Sequence, residues 1–337
     1  MTRVAVLGGG SWGTAFANVV ADAGLANVTL CCRRPEVATE INSAHTNTDY
    51  FPGIELNPGL RATVDAAEAL AGAEFVVLAV PSQSLRENLA AWRAHIPAGA
   101  VIVSLIKGIE LGTSLRMSEV VIAALDHPAD QVAIVSGPNL AREIAERQPA
   151  TAVVACPHEA TAVRLQHICK SPYFRPYTQT DIVGAELGGA VKNVIALAVG
   201  VAVGLGFGDN AKASLITRGL AETVRLAVAL GADEHTLAGL SGMGDLVATC
   251  GSPLSRNRAF GERLGTGMTV AEVSTETRQT AEGVYSARAI SALARANGVD
   301  MPIIETVVAM VDEGLPPREA LLRFMSRTAK PERYGVG

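Results

Sequence analysis

The sequence predicts a doubly wound, mainly parallel α/β sheet followed by an all-helical domain. Six apolar, β-branched runs recur in the first half of the 337-residue chain, with helical patterns between several of them: "VAVL", "NVTLCC", "FVVLAV", "AVIVSLI", "VAIVS" and "ATAVVA". Strands that alternate with helices are typical of a parallel sheet. After about residue 180 the patterns are helical, as in "ELGGAVKNVIALAVG", with no strand signal between them. We therefore expect two domains, residues 1–180 and residues 181–330.

The segment "AVLGGGSWGTAFA" predicts a dinucleotide site. Gly8, Gly10 and Gly13 match the pattern G-x-G-x-x-G between an apolar run and a helical pattern, which is the setting that gives this motif its meaning. Gly8 would permit a tight turn, Gly10 the close approach of a pyrophosphate, and Gly13 close helix–strand packing. The helix that follows would offer its N–H groups and positive dipole end to the phosphates.

Composition and charge argue against several function classes. The net charge is −5 and no basic block is present, so nothing indicates binding to nucleic acid or to an anionic membrane. The five cysteines and six histidines lack metal or redox spacing, which predicts a cytoplasmic protein without a metal. One apolar stretch could pass for a membrane span, but Lys192 and Asn193 interrupt it, and a buried helix is the better interpretation.

The residues after the second predicted strand bear on the choice of cofactor. An acidic residue that reads a ribose 2′-hydroxyl is expected there, but the sequence has Arg33 and Arg34 instead. Two guanidinium groups suit a 2′-phosphate. This pattern favours NADP(H), with NAD(H) still possible, while a solvated surface pair remains the alternative.

Two further strand ends carry candidate ligand-binding residues. Lys107 in "SLIKGIE" and Gly137 in "SGPNLAREI" both follow predicted strands. Doubly wound sheets bind ligands at the carboxyl edge of their strands. A lysine in this place would ordinarily be solvated, and only the neighbouring motifs favour a functional role for Lys107.

In the helical half, "GAELGGAVKNVIALAVG" contains a candidate acid/base. On a period of about 3.6 residues, Gly188, Gly189, Ala196 and Gly200 share a face with Lys192. Such small neighbours predict space beside the lysine for a small substrate. A buried ammonium tends to lose its proton, which would suit Lys192 for acid–base catalysis. A lysine that extends from a packed helix to solvent is the equally weighted alternative.

A second cluster lies in "LSGMGDLVATCGSPLSRNRAFGERLG". Asp245 stands between a glycine-rich turn and an apolar run, so it could point inward and pair with a lysine. "SRNR" offers a hydroxyl, an amide and two guanidinium groups in a predicted loop between Pro253 and Gly261. These groups suit a phosphate, although a basic surface loop would be the better interpretation of this stretch alone.

Seven segments together resemble the bacterial NAD(P)-dependent glycerol-3-phosphate dehydrogenase family. They occur in the family's order along nearly the whole chain: "GGGSWGTA", "SLIKGIE", "SGPNLAREI", "GAVKNVIALA", "LSGMGDL", "SPLSRNRAFG" and "AEGVYSA". One departure is "GPNLA", where the bacterial pattern more often has Ser or Thr and then Phe. Asn139 and Leu140 therefore put the contacts of this turn in question.

The resemblance implies reversible reduction of dihydroxyacetone phosphate to sn-glycerol 3-phosphate, which feeds phospholipid synthesis. It also implies a Rossmann domain, a helical domain of 6-phosphogluconate dehydrogenase type and a homodimer. Lys192 would be the proton donor and acceptor. The implied substrate site comprises Lys107, Gly137, Asn139, Lys192, Asp245, Ser255, Arg256 and Asn257. Besides the glycine turn, the implied cofactor contacts are Ser11, Trp12, Arg33, Arg34, Lys107, Ala141, Arg256, Thr280 and Glu282.

Two other functions compete with this one. A hydroxyacid dehydrogenase of similar architecture would need a carboxylate site, against which "SPLSRNR" and "LSGMGDL" argue. A nucleotide-sensing module would bind the cofactor without turnover and would lack a proton donor. The pairing of Lys192 with Asp245 argues against such a module.

Overall fold

The computed structural model describes residues 1–276 and 281–326. The first part of the chain forms an eight-stranded sheet: β1 (Thr2–Leu7), β2 (Ala26–Cys31), β3 (Arg61–Thr63), β4 (Phe75–Leu78), β5 (Val101–Ser104), β6 (Val132–Ser136), β7 (Ala150–Ala155) and β8 (Phe174–Gln179). The strand order is β3-β2-β1-β4-β5-β6-β7-β8. Only β6 and β7 pair antiparallel; the other neighbouring pairs in this sheet are parallel.

All six predicted strands are present, and the predicted doubly wound, mainly parallel sheet is confirmed. The structure adds β3 and β8, which occupy the two edges. β3 has only three residues, and β8 contains Pro176 and alternates with polar side chains. Edge strands need no continuous apolar sequence, which is why the search for apolar runs missed both.

The central strands are apolar throughout because both faces of the sheet are covered. In β1, Val4 and Val6 belong to the apolar layer on one face, whereas Ala5 and Leu7 belong to the layer on the other. The order of the strands reverses between β1 and β4. A crevice at such a reversal is where sheets of this kind bind ligands.

Helices cover the sheet and form the second part of the chain. They are α1 (Ser11–Ala23), α2 (Pro35–Ala44), α3 (Ala66–Leu70), α4 (Leu85–Trp92), α5 (Met117–Leu125), α6 (Ala141–Ala145), α7 (Glu159–Cys169), α8 (Ile182–Gly204), α9 (Asp209–Ala229), α10 (Glu234–Ala238), α11 (Asp245–Gly251), α12 (Arg256–Gly265), α13 (Val270–Glu276), α14 (Glu282–Ala296), α15 (Pro302–Asp312) and α16 (Pro317–Met325). The helical character predicted for the second half is therefore confirmed.

The long helix α8 is the centre of the helical part. α9, α11, α12 and α14 pack around it, and most of its 23 residues are buried. Its contact with α12 is between backbones: a Cβ atom at Gly200 would overlap the carbonyl oxygen of Arg258, and one at Gly261 would overlap that of Leu197. Glycines at these places let the two helices approach closely, since a larger residue would force them apart.

α8 is also long and apolar enough to cross a membrane by length and composition. However, 89% of its most hydropathic window is buried inside the protein. Among the described residues, no other helix passes the same test. The structure therefore supports the interpretation of this segment as a buried helix.

Candidate active site

The glycine-rich turn after β1 has the form that a dinucleotide pyrophosphate requires. Gly8 has φ of +124°, and a Cβ atom there would overlap the carbonyl oxygen of Ala79. A Cβ atom at Gly13 would likewise overlap the carbonyl oxygen of Gly8, whereas the Cβ position at Gly10 has no atom within 4 Å. Gly10 precedes α1 without a side-chain cap. The turn is closed on the protein side and open at Gly10, so its residues fit a bound pyrophosphate.

Asn47 holds this turn in place, and Trp12 lies at the start of α1, which follows it. Asn47 is fully buried and donates to the hydroxyl of Thr14 (3.0 Å) and to the carbonyl oxygen of Gly9 (3.5 Å). Trp12 packs edge-on against Phe16, and its indole N–H is buried with no hydrogen-bond partner among the described residues. Sequence reasoning missed Asn47, because nothing local connects residue 47 with a turn nearly 40 residues earlier.

The two arginines after β2 differ in their surroundings. Arg33 is exposed. Arg34 forms an ion pair with Asp49 and lies 3.9 Å from a carboxylate oxygen of Glu36. Arg34 therefore has a carboxylate partner that the sequence did not indicate, and its charge is less available to a phosphate than that of Arg33.

The chemical centre is one carboxylate shared by two lysines. Asp245 is 1% exposed; its Oδ1 accepts from Lys192 Nζ at 2.6 Å, and its Oδ2 accepts from Lys107 Nζ at 2.6 Å. Lys107 also donates to the carbonyl oxygen of Gly137 (3.0 Å), and Lys192 to the hydroxyl of Thr249 (2.7 Å). Three separate segments thus converge here: the loop after β5, the middle of α8 and the first turn of α11.

The electrostatics of this centre suit proton transfer to an anionic substrate. Burial lowers the pKa of Lys192 to about 8, and nearby Lys107 acts in the same direction, while the carboxylate of Asp245 opposes both. A lysine with a pKa close to the working pH can both donate and accept a proton. With both lysines protonated, the three groups carry one net positive charge, which favours an anion.

Two of the small residues predicted to leave space beside Lys192, Gly188 and Gly200, instead admit neighbouring backbone. A Cβ atom at Gly188 would overlap the carbonyl oxygen of Ser241, and one at Gly189 would lie 3.0 Å from the hydroxyl of Ser136. Gly188 and Gly189 therefore lie against neighbouring chain. The spacing of glycines on a helix predicts that something packs closely against it, but it does not distinguish a ligand from a neighbouring segment of the chain.

The predicted loop around "SRNR" is also wrong, because these residues begin α12. Ser255 caps the helix, and its hydroxyl accepts from the N–H of Arg258 at 3.2 Å. Asn257 is buried; its side chain donates to Asn193 Oδ1 (2.9 Å) and accepts from the N–H of Gly283 (2.8 Å). A serine before a helix is a common cap, a signal that the interpretation as a basic loop overlooked.

Arg256 lies at the first position of α12 and is exposed. Its charge interacts with that of Glu282, at the start of α14. Glu282 accepts from the N–H (3.3 Å) and the hydroxyl (2.6 Å) of Ser82, which follows β4. Burial raises the pKa of Glu282. Thr280, the other predicted cofactor contact nearby, lies outside the described residues.

The remaining predicted residues lie where β6 ends. Gly137 has φ of +125°, so its carbonyl can turn toward Lys107 at little steric cost. Asn139 donates to the carbonyl oxygen of Thr151 (3.1 Å), and its own Oδ1 is buried without a partner in the described part of the chain. Ala141 is the first residue of α6.

Known proteins resemble this chain along nearly its full length. Residues 3–162 and 181–322 match the N-terminus and the C-terminus of NAD-dependent glycerol-3-phosphate dehydrogenase. The chain belongs to this family. A glycerol-3-phosphate dehydrogenase (NAD(P)+) of Thermobifida fusca is 74% identical over 100% of both chains, and one of Streptomyces griseus is 62% identical over 98% of each. The crystal structure of the glycerol-3-phosphate dehydrogenase of Coxiella burnetii is 36% identical and covers 97% of this chain and 99% of that one, with a TM-score of 0.91.

Membership of the glycerol-3-phosphate dehydrogenase family confirms the resemblance drawn from the seven ordered segments. The relatives from Thermobifida and Streptomyces are both named for NAD(P)+, which agrees with the expectation that either nicotinamide cofactor is possible. The fit of the glycine turn to a pyrophosphate supports the same cofactor class.

The unequal surroundings of Arg33 and Arg34 predict unequal effects on cofactor choice. Arg33→Ala should raise the KM for NADPH about threefold to fivefold, because an exposed charge pair contributes up to about 1 kcal/mol. Arg34→Ala should have a smaller effect, and Asp49→Asn should lower the KM for NADPH by releasing Arg34. Steady-state kinetics with NADPH and NADH measured separately checks this. Equal changes with both cofactors would contradict a 2′-phosphate contact.

Proposed function

We propose that this protein catalyses the reversible NAD(P)H-dependent reduction of dihydroxyacetone phosphate to sn-glycerol 3-phosphate, supplying phospholipid synthesis. The observation that carries the proposal is the sharing of Asp245 by Lys107 and Lys192. This arrangement supports a proton donor, because it combines a lysine of lowered pKa with a second positive charge near the carboxyl edge of a sheet whose glycine turn fits a dinucleotide. Family membership supports the substrate.

The proposed chemistry at the carbonyl uses the lysine pair. When bound, the reduced nicotinamide supplies a hydride to the C2 carbonyl carbon of the substrate. Lys192 donates a proton to the carbonyl oxygen as negative charge develops there. Asp245 orients the ammonium of Lys192, and Lys107 adds positive charge close by. In the reverse direction, neutral Lys192 accepts the hydroxyl proton, which its lowered pKa makes available.

The proposed phosphate-binding site lies at the start of α12. Arg256 would pair with the substrate phosphate through its exposed guanidinium. Ser255 and Asn257 belong to the same proposed site, since their hydrogen bonds fix the first turn of the helix. Binding energy from this remote group would hold the carbonyl in line for reduction. Gly137 and Asn139 would border the substrate from the β6 side.

The proposed cofactor contacts begin at the glycine turn and continue across the domain boundary. Arg33, with a lesser share from Arg34, would bind the 2′-phosphate of NADP(H), the favoured cofactor, with NAD(H) also used. The further contacts are Gly8, Gly10, Ser11, Trp12, Gly13, Lys107, Ala141, Arg256, Thr280 and Glu282. Arg256 would thus be shared between the substrate phosphate and the cofactor.

Three broader features belong to the same proposal. The boundary between domains 1–180 and 181–330 is supported by the end of β8 at Gln179 and the start of α8 at Ile182. A cytoplasmic location is supported by five cysteines that are all buried free thiols. A homodimer rests on the family resemblance alone.

Lys192→Met tests the proposed function directly. The wild-type protein should oxidise NADPH on addition of dihydroxyacetone phosphate, and kcat should fall as the pH rises through about 8, where Lys192 loses its proton. Lys192→Met should lower kcat by roughly 10²–10⁴, the usual contribution of acid–base catalysis, and should remove that pH dependence. Lys212→Met, at a partly exposed lysine paired with Asp209, is the matched control. Wild-type turnover in the Lys192 variant would assign the proton to another group.

Arg256→Ala tests the placement of the phosphate and separates this function from a hydroxyacid dehydrogenase. The kcat/KM for dihydroxyacetone phosphate, divided by that for unphosphorylated dihydroxyacetone, should fall at saturating NADPH, because only the first substrate has the contact to lose. Arg288→Ala, which breaks an exposed pair with Asp312, should leave the ratio unchanged. NADPH affinity is measured separately, since Arg256 is also a proposed cofactor contact. An unchanged ratio in Arg256→Ala would place the phosphate elsewhere.

A further inference from the structure

Glu186 is a buried carboxylate that joins α8 to the first domain away from the lysine centre. It is 6% exposed. Its Oε2 accepts from Arg116 Nη1 and from the hydroxyl of Ser118, both at 2.6 Å, and its Oε1 accepts from the N–H of Ser118 at 2.8 Å. Arg116 is also paired with Glu119, three residues later. Both oxygens of Glu186 are therefore bound to the start of α5.

Arg116 closes the same loop that carries Lys107. This loop leaves β5 after Ser104 and ends where α5 begins. Ile109 and Arg116 face each other in an antiparallel bridge, and the N–H of Glu110 donates to the carbonyl oxygen of Leu115 at 2.9 Å. The position of Arg116 thus constrains the end of the loop that leads into α5.

Glu186 and Lys192 lie on the same helix but on different faces of it. Six residues separate them, which is about 9 Å along the axis and about 240° around it. Lys192 binds Asp245, while Glu186 binds Arg116 and Ser118. Attachment on two faces opposes both rotation and sliding of α8 relative to the Lys107 loop.

We propose that Glu186 is a positioning residue, which fixes α8 against the Lys107 loop so that both lysines reach Asp245. The inference rests on the proposed function only for its kinetic test. Burial raises the pKa of Glu186, so the carboxylate depends on Arg116 and Ser118 to remain charged. If the carboxylate served only stability, replacing it would lower the stability of the protein and leave the kinetics unchanged.

The test compares Glu186→Gln with a matched variant, Glu222→Gln. Glu222 is also a buried glutamate of the helical part, 2% exposed, and it accepts from the N–H groups of Ile303 and Ile304 at the start of α15. Both variants should lower the melting temperature. Only Glu186→Gln should also lower kcat with dihydroxyacetone phosphate, by about tenfold to a hundredfold, because small misplacements of a reacting group are costly.

A measurement that needs no turnover tests the positioning role of Glu186 separately from the proposed function. The pKa of Lys192, measured from the pH dependence of its acetylation by acetic anhydride, should change by about half a unit or more in Glu186→Gln, since both the burial of Lys192 and its contact with Asp245 set that pKa. Glu222→Gln should leave it unchanged. Absence of turnover in the wild type would refute the proposed function, while this titration would still decide the role of Glu186.

Arg116→Lys is the second variant should Glu186→Gln fail to fold. It retains the positive charge but loses the planar fork of the guanidinium, and it should lower kcat and change the Lys192 pKa in the same direction as Glu186→Gln. If a folded Glu186→Gln or Arg116→Lys protein matched Glu222→Gln in both kcat and the Lys192 pKa, the positioning role would be overturned.

Discussion

The bridge from Asp245 to Lys107 and Lys192 is the interaction on which the rest of the site depends. A buried carboxylate or ammonium without partners would cost several kcal/mol. Here each charge has an opposite charge at 2.6 Å, and each lysine has a further hydrogen-bond acceptor. The centre is stable only when the β5 loop, α8 and α11 are all in place. A single carboxylate therefore links the assembly of the domains to the proposed chemistry.

The packing around α8 makes that convergence possible. Gly188 and Gly200 bring neighbouring backbone against the helix, while Asn193 receives a hydrogen bond from Asn257 at the start of α12. The proposed phosphate-binding residues at the start of α12 are therefore attached to α8, the helix that carries the proposed proton donor. The Glu186–Arg116 pair ties this helix to the Lys107 loop on another face. The geometry of the proposed site therefore depends on helix packing.

The sequence predicts the local patterns and one long-range contact, the pairing of Asp245 with Lys192, but not the other long-range contacts. The glycine turn, six strands and an inward-pointing Asp245 each have a local pattern. The pairs Arg34–Asp49 and Glu186–Arg116 have none, because their partners come from distant segments. At the start of α12 the charged residues favour a loop and the capping serine favours a helix, and the structure has the helix. The glycines beside Lys192 were correctly predicted to share a face, but no sequence period distinguishes room for a ligand from room for a neighbouring chain.

The most direct test of the central bridge is the pH dependence of kcat for reduction in Asp245→Asn. The carboxylate of Asp245 raises the pKa of Lys192, so its loss should lower that pKa, and kcat should begin to fall at a lower pH than in the wild type. Asp209→Asn, which removes an exposed carboxylate paired with Lys212, should leave the profile unchanged. A wild-type pH profile in Asp245→Asn would contradict the account, because Lys192 would then titrate independently of the group proposed to hold it.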